Sequence, residues 1–319
     1  MGLPTRTIAG LGMEVTRLGI GALPMGPLQR GLTPEEGGRV IRRALERGVT
    51  FIDTATAYGT YGHVAAALRG WTEPVVLSTK THARDDARMA REHIDKALRE
   101  MDREYVDIML CHCARALPTR DLWGPSLEEL AKARERGDAR MIGISSHTIE
   151  GVRIVAEDPD IDAVHPLINM AGLGITDGGP QEMLAAIRKA HAAGKLVYAM
   201  KALGGGNLVP RREEALRFAL AVDEIDVVVV GMVTPQEVEW NVRFFAHEPI
   251  PEDLAGETAF HTKRLNILEF LCQGCAACVE HCENDALRVE DGVARVDPGR
   301  CILCGYCGPH CPQFAIRMV

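Results

Sequence analysis

The spacing of the cysteines near the end of this chain restricts its fold more than any other feature. Eight of the ten cysteines lie in two runs that share the pattern Cys-x2-Cys-x2-Cys-x3-Cys. The runs are Cys272, Cys275, Cys278 and Cys282, and then Cys301, Cys304, Cys307 and Cys311. So regular a repeat predicts that this segment is held together through sulfur, bonded either to metal or to other cysteines.

Structural zinc and disulfides are two simple explanations for the repeat. Paired Cys-x2-Cys spacings can hold zinc, but zinc needs four ligands per site and does not explain a third and a fourth cysteine at fixed spacing in both runs. Dense cysteines can also form a disulfide framework. We expect none here, because residues 1–10 lack the apolar core of a secretory signal.

The repeat resembles that of the bacterial two-cluster ferredoxins. In those proteins the first three cysteines of each run hold one 4Fe–4S cluster, and the fourth ligates the other. The resemblance implies a first cluster on Cys272, Cys275, Cys278 and Cys311, and a second on Cys301, Cys304, Cys307 and Cys282. Glu283 stands where ferredoxins usually carry a proline, which affects the local turn but removes no ligand. Between the runs, the Asp291-Gly292 pair predicts a hairpin.

Length and charge exclude several classes of function. The 319 residues can form one large and one small domain. The net charge of −8 argues against nucleic-acid binding, which requires a basic surface. No apolar run approaches the length that crosses a bilayer. We therefore expect a cytoplasmic protein with no nucleic-acid or membrane partner, in a compartment that keeps thiols and clusters reduced.

The first 250 residues alternate between short apolar runs and helical stretches. Buried parallel strands are predicted at 18–22, 50–54, 75–79, 106–112, 141–145, 163–169, 196–201 and 227–231. Helices are predicted at 87–101, 126–136, 149–157, 181–193, 211–222 and 235–245. Thr33 opens an earlier helix as its N-cap, with Pro34 in the first turn and Glu36 closing a capping box.

Eight strands, each followed by a helix, predict a (β/α)8 TIM barrel. A doubly wound sheet is the alternative, but after its first strand it should carry a glycine-rich turn that opens a helix. Gly19 and Gly21 lead into Ala22-Leu23-Pro24 without such a helix. We assign residues 1–246 to the barrel and 247–270 to a linker with a connecting helix at 258–270. Residues 271–319 form a small α+β ferredoxin-like iron–sulfur domain.

Ionisable residues end three consecutive predicted strands of the barrel. Asp53 ends the second strand, with Tyr58 shortly after it, Lys80 ends the third, and His112 ends the fourth. Each residue alone could be structural. Barrel active sites lie at the carboxyl ends of the strands, and all of these residues lie at or near those ends. Their shared position therefore predicts a catalytic site.

At these four residues the chain resembles the aldo-keto reductases, whose catalytic residues are Asp, Tyr, Lys and His in this order. The resemblance covers about residues 5–246 and implies a role for each residue. Tyr58 would donate a proton to a carbonyl oxygen during hydride transfer, and Lys80, paired with Asp53, would lower the Tyr58 pKa. His112 would orient the substrate carbonyl. A small carbonyl compound or alcohol is therefore the expected substrate.

The resemblance also implies positions for a nicotinamide cofactor. The corresponding residues are Ser145, His165, Met200, Lys201, Gly231, Thr234, Glu237 and Asn241. Met200 stands where many members stack a tyrosine on the nicotinamide ring. Glu237 stands where NADP-preferring members often carry arginine, and its carboxylate would repel a 2′-phosphate, so NAD is favoured over NADP. Trp123 and Phe260 are further candidates to line the substrate site.

Three hypotheses about function follow from these observations. In the first, the protein is an NAD(P)-dependent carbonyl reductase or alcohol dehydrogenase, and the cluster domain is structural, regulatory or a docking site for a redox partner protein. In the second, the clusters feed electrons to a substrate or a bound flavin at the barrel site, because a hydride carries two electrons and each cluster moves one. In the third, the barrel is a non-catalytic scaffold for an electron carrier, which the complete set of four residues disfavours.

Overall fold

The computed structural model describes residues 2–113, 120–255 and 263–318. An antiparallel hairpin of β1 (Thr5–Ile8) and β2 (Met13–Thr16) comes first. Eight parallel strands follow: β3 (Leu18–Gly21), β4 (Phe51–Asp53), β5 (Val76–Thr81), β6 (Val106–Cys113), β7 (Ala139–Ser146), β8 (Ala163–Pro166), β9 (Leu196–Ala199) and β10 (Val227–Gly231). They close into a barrel in chain order, with β10 paired to β3, which confirms the predicted fold.

Helices surround the barrel. They are α1 (Pro34–Glu46), α2 (Tyr61–Leu68), α3 (Ala87–Met101), α4 (Arg120–Arg136), α5 (Ile149–Glu157), α6 (Pro180–Ala192), α7 (Arg212–Leu220) and α8 (Pro235–Phe245), followed by the single turn α9 (Glu252–Ala255). Helix α4 begins before the predicted residue 126, because it accommodates Pro125 in its second turn. No helix in the described ranges is both long and apolar enough to span a membrane.

Local sequence chemistry fixes where α1 begins. Thr33 accepts a hydrogen bond from the Glu36 backbone N–H at 3.2 Å, and the Glu36 carboxylate accepts one from the Thr33 N–H at 2.9 Å. This capping box is the predicted one, and it satisfies two N–H groups that the helix itself leaves without partners. Val40, Ile41 and Ala44 on the inner face of α1 are then buried against the barrel.

Two separate apolar clusters stabilise the barrel. One lies between the strands and the helices. The other fills the barrel interior with side chains such as Phe51, Ile108 and Tyr198, and it includes Ile8 and Val15 of the N-terminal hairpin. The hairpin therefore closes the amino end of the barrel, and the carboxyl ends of the strands are left to form the site.

A C-terminal module, residues 263–318, contains all eight cysteines of the repeat. Its elements are β11 (Leu265–Ile267), α10 (Ala277–Glu280), β12 (Leu287–Glu290), β13 (Val293–Val296) and β14 (Ile316–Met318). Strand β11 pairs antiparallel with β14, and β12 with β13. The Asp291-Gly292 hairpin is confirmed. The helix predicted at 258–270 is wrong over residues 263–270, where β11 forms because β14 gives it a partner strand.

The C-terminal module packs on the carboxyl end of the barrel. The Asn207 side-chain amide donates a hydrogen bond to the Cys301 carbonyl at 2.8 Å, and that of Gln29 donates to the Leu303 carbonyl at 3.3 Å. Lys263 in turn donates to the Gln29 side-chain oxygen at 2.5 Å. The module therefore covers the carboxyl end of the barrel, where Asp53, Lys80 and His112 were predicted to lie.

Candidate active site

The four residues predicted to be catalytic meet at the carboxyl end of the barrel. Asp53 is the last residue of β4, Lys80 lies on β5, and His112 lies on β6. Tyr58 ends a short 3-10 turn that follows β4. Asp53, Tyr58 and Lys80 are buried, so their interactions take place with little water between them.

Asp53 and Lys80 form a buried ion pair. The Lys80 Nζ lies 2.7 Å from each carboxylate oxygen of Asp53, and it also donates to the Thr54 carbonyl at 2.8 Å. Burial raises the pKa of Asp53 and lowers that of Lys80, whereas the attraction between the two groups opposes both shifts. The pair therefore holds Lys80 in one position beside Tyr58.

Tyr58 lies between the lysine and the histidine. The Lys80 Nζ is 5.1 Å from the centre of the Tyr58 ring, and the His112 ring centre is 5.6 Å from it, edge to face. Burial raises the pKa of Tyr58 well above its ordinary value, and the nearby Tyr306 and Asp53 raise it further. The net shift of the Tyr58 pKa is therefore upward, opposite to the lowering that the resemblance implied, because burial outweighs the nearby Lys80 cation, whose charge Asp53 partly offsets.

A residue of the C-terminal module completes this environment. The ring centre of Tyr306 lies 6.3 Å from that of His112, edge to face, and Tyr306 contributes to the raised pKa of Tyr58. Burial lowers the pKa of His112 well below its usual value, and Lys80 adds to the effect. His112 is thus a neutral imidazole that can share a hydrogen bond. Tyr306 could not be predicted as part of this site from the sequence, because nothing in its Cys-Gly-Tyr-Cys context indicates which part of the barrel it contacts.

A cavity opens beside these residues, between the barrel and the C-terminal module. Its barrel wall includes Asp53 and Tyr58, and its module wall includes Ile302, Leu303 and Cys304. Lys263, which the sequence analysis assigned to a connecting helix, also lines it. A ligand in this cavity would touch both the acid–base residues and a predicted cluster ligand.

Five of the eight residues predicted to contact a nicotinamide line this cavity. They are His165, Met200, Lys201, Gly231 and Glu237. Glu237 accepts a hydrogen bond from the Val233 N–H at 2.6 Å, and His165 donates one from Nδ1 to the Tyr198 carbonyl at 2.5 Å. The cavity thus reaches from the Tyr58 hydroxyl to the start of α8.

The other three predicted nicotinamide residues make contacts within the fold. The Ser145 hydroxyl is 3.5 Å from the Cys111 carbonyl, Thr234 caps α8, and the Asn241 amide donates to the Glu237 carbonyl at 2.8 Å. Trp123 is buried in the core and does not line the cavity. Phe260 lies outside the described residues.

The cysteines of the module surround two smaller cavities. Cys272, Cys275, Cys278 and Cys311 line one of them. Cys282, Cys301, Cys304 and Cys307 line the other. These are the two ligand sets that the resemblance to ferredoxins implied. The fourth cysteine of each run, Cys282 or Cys311, lies with the first three cysteines of the other run. Four thiols around a cavity of this kind fit a cube-shaped 4Fe–4S cluster.

Backbone amides support this fit on both sides of the module. The Ala294 and Ala315 N–H groups donate to the sulfurs of Cys272 and Cys311 at 3.3 and 3.2 Å, and the Ala286 N–H donates to that of Cys282 at 3.3 Å. Donors to sulfur stabilise the negative charge of bound thiolates. We refer to the cluster site with Cys272 as the first and to that with Cys304 as the second.

Similarity to known proteins agrees with this organisation. Residues 17–215 match the model of the aldo/keto reductase family, and residues 264–312 match that of the 4Fe-4S dicluster domain. The chain belongs to the aldo/keto reductase family. It is an oxidoreductase that carries a C-terminal iron–sulfur domain.

Individual relatives are distant. L-galactose dehydrogenase of Arabidopsis thaliana is 24% identical over 74% of this chain and 86% of its own length. The aldo-keto reductase YhdN of Bacillus subtilis is 30% identical over 51% of this chain and 53% of its own length. The solved structure of an aldo-keto reductase from Bacillus halodurans superposes with a TM-score of 0.63 at 19% identity, covering 79% of this chain and 94% of that one. That likeness shows the fold alone.

Proposed function

We propose that this oxidoreductase interconverts a small carbonyl compound and its alcohol in the cavity between barrel and module, and that the second cluster exchanges electrons with the bound compound. One observation carries the proposal: Cys304, a ligand of the second cluster site, lines the same cavity as Asp53 and Tyr58. Electrons and protons can thus reach one bound molecule from opposite walls.

The barrel residues supply the proton chemistry in this proposal. Tyr58 keeps its proton in the resting site, since burial raises its pKa, and it releases that proton when a basic oxygen develops on the substrate. Lys80, whose Nζ lies 5.1 Å from the centre of the Tyr58 ring, stabilises the resulting phenolate. Asp53 fixes Lys80, and the neutral His112 shares a hydrogen bond with the substrate oxygen.

The electron count is satisfied by the two cluster sites together. Reduction of a carbonyl to an alcohol takes up two electrons and two protons, and each loaded 4Fe–4S cluster supplies one electron. Tyr58 delivers one proton, and the second comes from solvent through the open side of the cavity. A flavin bound in the cavity could collect the two electrons before the substrate receives them, and a redox partner protein could supply electrons to the clusters. The proposal includes both possibilities.

A nicotinamide-dependent reaction is the second candidate function. The observation that favours it is the length of the cavity, which continues from Tyr58 to Gly231 and Glu237, where the family resemblance implies the cofactor. A bound nicotinamide supplies a hydride. Glu237 is buried there, and its carboxylate suits the ribose hydroxyls of NAD better than the 2′-phosphate of NADP. For both candidates we place the protein in the cytoplasm.

Anaerobic titration of the reconstituted protein distinguishes the two candidates. NADH, NADPH and dithionite are added separately, and the clusters are followed by visible and electron paramagnetic resonance spectra. Turnover of an aldehyde, ketone or 2-oxoacid by dithionite-reduced protein without nicotinamide supports direct transfer. Tight NADH binding and NADH-dependent turnover without cluster reduction support the second candidate. If reduced clusters are not reoxidised by any such compound and neither nucleotide binds, both candidates are wrong.

Tyr58→Phe tests the proton chemistry that both candidates share. We expect turnover to fall at least 100-fold, because proton transfer by a positioned group contributes roughly that factor or more. The spectra of the clusters should stay unchanged. Tyr105→Phe is the matched control, since Tyr105 is 45% exposed and distant from the cavity lining. Full activity of Tyr58→Phe would refute the assignment of Tyr58.

A further inference from the structure

Two lysines line the wall of the large cavity beside the second cluster site. Lys201 follows β9, and Lys263 begins the C-terminal module. Lys201 has a backbone φ of 59°, in the left-handed region that side chains other than glycine rarely adopt. A lysine that the fold holds in an unfavourable conformation, in a cavity, indicates that its position has a function.

Hydrogen bonds hold each lysine in place. The Lys201 Nζ donates to His147 Nε2 at 2.7 Å. Gln29 accepts from Lys263 at 2.5 Å and donates to the Cys304 carbonyl at 3.4 Å. The Lys263 ammonium group is thus fixed between barrel and module, beside the loop that carries Cys304, and that of Lys201 is fixed on the barrel wall of the cavity.

Both lysines share the wall of the large cavity with Cys304. Burial lowers the pKa of Lys201 and of Lys263 to about 8, and Cys304 acts against that shift in each case. Three carboxylates also act on these lysines, Glu283 and Asp53 on Lys201 and Glu237 on Lys263. Asp53 is already paired with Lys80, and Glu237 accepts a hydrogen bond from the Val233 N–H. Glu283 lines the second cluster cavity, whereas the described lining of the first has no charged side chain other than the cysteines, and the two lysines lie in the adjoining large cavity.

We propose that Lys201 and Lys263 raise the reduction potential of the second cluster, so that the first cluster can reduce it. A cluster gains a negative charge on reduction, and a cluster covered by the barrel has less solvent to stabilise that charge. Fixed cations beside its ligand Cys304 compensate for the missing solvent. Backbone donors to sulfur occur at both sites, so they do not distinguish the clusters.

The charge arrangement gives electron transfer a direction. Cys275 of the first site is exposed, so electrons can enter there. In the transfer step the first cluster is oxidised by one electron and the second is reduced by one, and no atom moves. The electron then resides at the cavity that contains Tyr58. This inference concerns the clusters alone and holds for any substrate of the barrel site.

Redox titration of the reconstituted full-length protein tests the proposal. Electron paramagnetic resonance follows the reduction of each cluster. The signal that changes in the Cys275→Ser variant is assigned to the first cluster. We expect Lys201→Met and Lys263→Met each to reduce the equilibrium constant for reduction of the second cluster about tenfold, which is about 59 mV for one electron. The first cluster should keep its potential. Lys201→Arg, which retains the charge, should behave as the wild type.

Controls separate this effect from structural damage. Lys189→Met removes an exposed lysine that pairs with Glu157 on the outside of the barrel, and it should change neither potential. Iron content establishes that each variant holds both clusters. Lys201 and Lys263 lie on different segments, so either variant tests the proposal if the other loses iron. An unchanged second potential in a loaded Met variant, or equal shifts of both clusters, would overturn it.

Discussion

The acid–base residues of the barrel have a neighbour on the C-terminal module. Tyr306 lies between Cys304 and Cys307 in the chain, and its ring packs edge to face against that of His112. It also contributes to the raised pKa of Tyr58. The loop with the predicted ligands of the second cluster therefore carries a side chain that forms part of the acid–base site.

Tyr306→Ala should lower the midpoint of thermal unfolding of the loaded protein. The substitution removes the ring that packs edge to face against His112 between module and barrel, and an aromatic pair contributes about 1 kcal/mol beyond the area that it buries. Circular dichroism under anaerobic conditions measures the change. Tyr105→Ala removes a side chain that is 45% exposed and should change the midpoint less. Equal midpoints for the two variants would show that the contact does not stabilise the protein.

At the scale of elements, glycines permit the barrel loops and the module to touch. Gly205 follows β9 with a φ of 72°, and a Cβ atom there would lie 1.8 Å from the Ile302 carbonyl oxygen. Gly305 in the module has a φ of 86°, and a Cβ atom would lie 2.2 Å from the Leu28 oxygen. Backbone thus packs on backbone at two points around the cavity, and neither contact tolerates a side chain.

Gly205→Ala should displace the module from the barrel. The clash with Ile302 involves backbone, so it can be relieved only by separation of the two parts. We expect a proteolytic cleavage rate between residues 246 and 263 at least tenfold above that of the wild type, since a loss of about 1.4 kcal/mol has that effect on an opening equilibrium. Mass spectrometry of the fragments measures it.

Gly194→Ala is the matched control for this experiment. Gly194 has a φ of 79°, close to that of Gly205, but a Cβ atom there would meet nothing within 4 Å. Both substitutions therefore impose similar backbone strain, and only one imposes the clash. If the two variants are cleaved at the same rate, strain alone explains the effect and the packing of Gly205 on Ile302 is unimportant.

The same elements show how far sequence could predict the structure. The hydrophobic periods of strands and helices, and helix caps such as Thr33, depend on residues close together in the sequence. The barrel, and the position of Asp53 and Lys80 at the ends of its strands, could therefore be predicted. The contacts of Tyr306 with His112 and of Lys263 with Gln29 join residues more than 190 positions apart, and no local pattern encodes them. The strand β11 was missed because its partner β14 lies about 50 residues later.

At the scale of the molecule, the barrel and the module are stabilised differently. The barrel has two extensive apolar clusters. The buried core of the module comprises Cys278, Leu287, Ala294, Cys307, Cys311, Ala315 and Ile316, of which three are predicted cluster ligands. So small a core cannot stabilise a fold of this size without metal. The barrel should therefore fold independently of iron, and the module should not.

Anaerobic removal of iron with a chelator should unfold residues 263–318 and leave the barrel folded. Hydrogen exchange followed by mass spectrometry measures both parts at once. Amides of the module should lose protection, and so should the loops it covers around Gln29 and Asn207. Strands β3 to β10 should keep theirs, because their core contains no iron ligand. Restoring iron and sulfide under anaerobic conditions should restore protection. Loss of protection in the barrel strands together with the module would show that the barrel depends on the clusters for its stability.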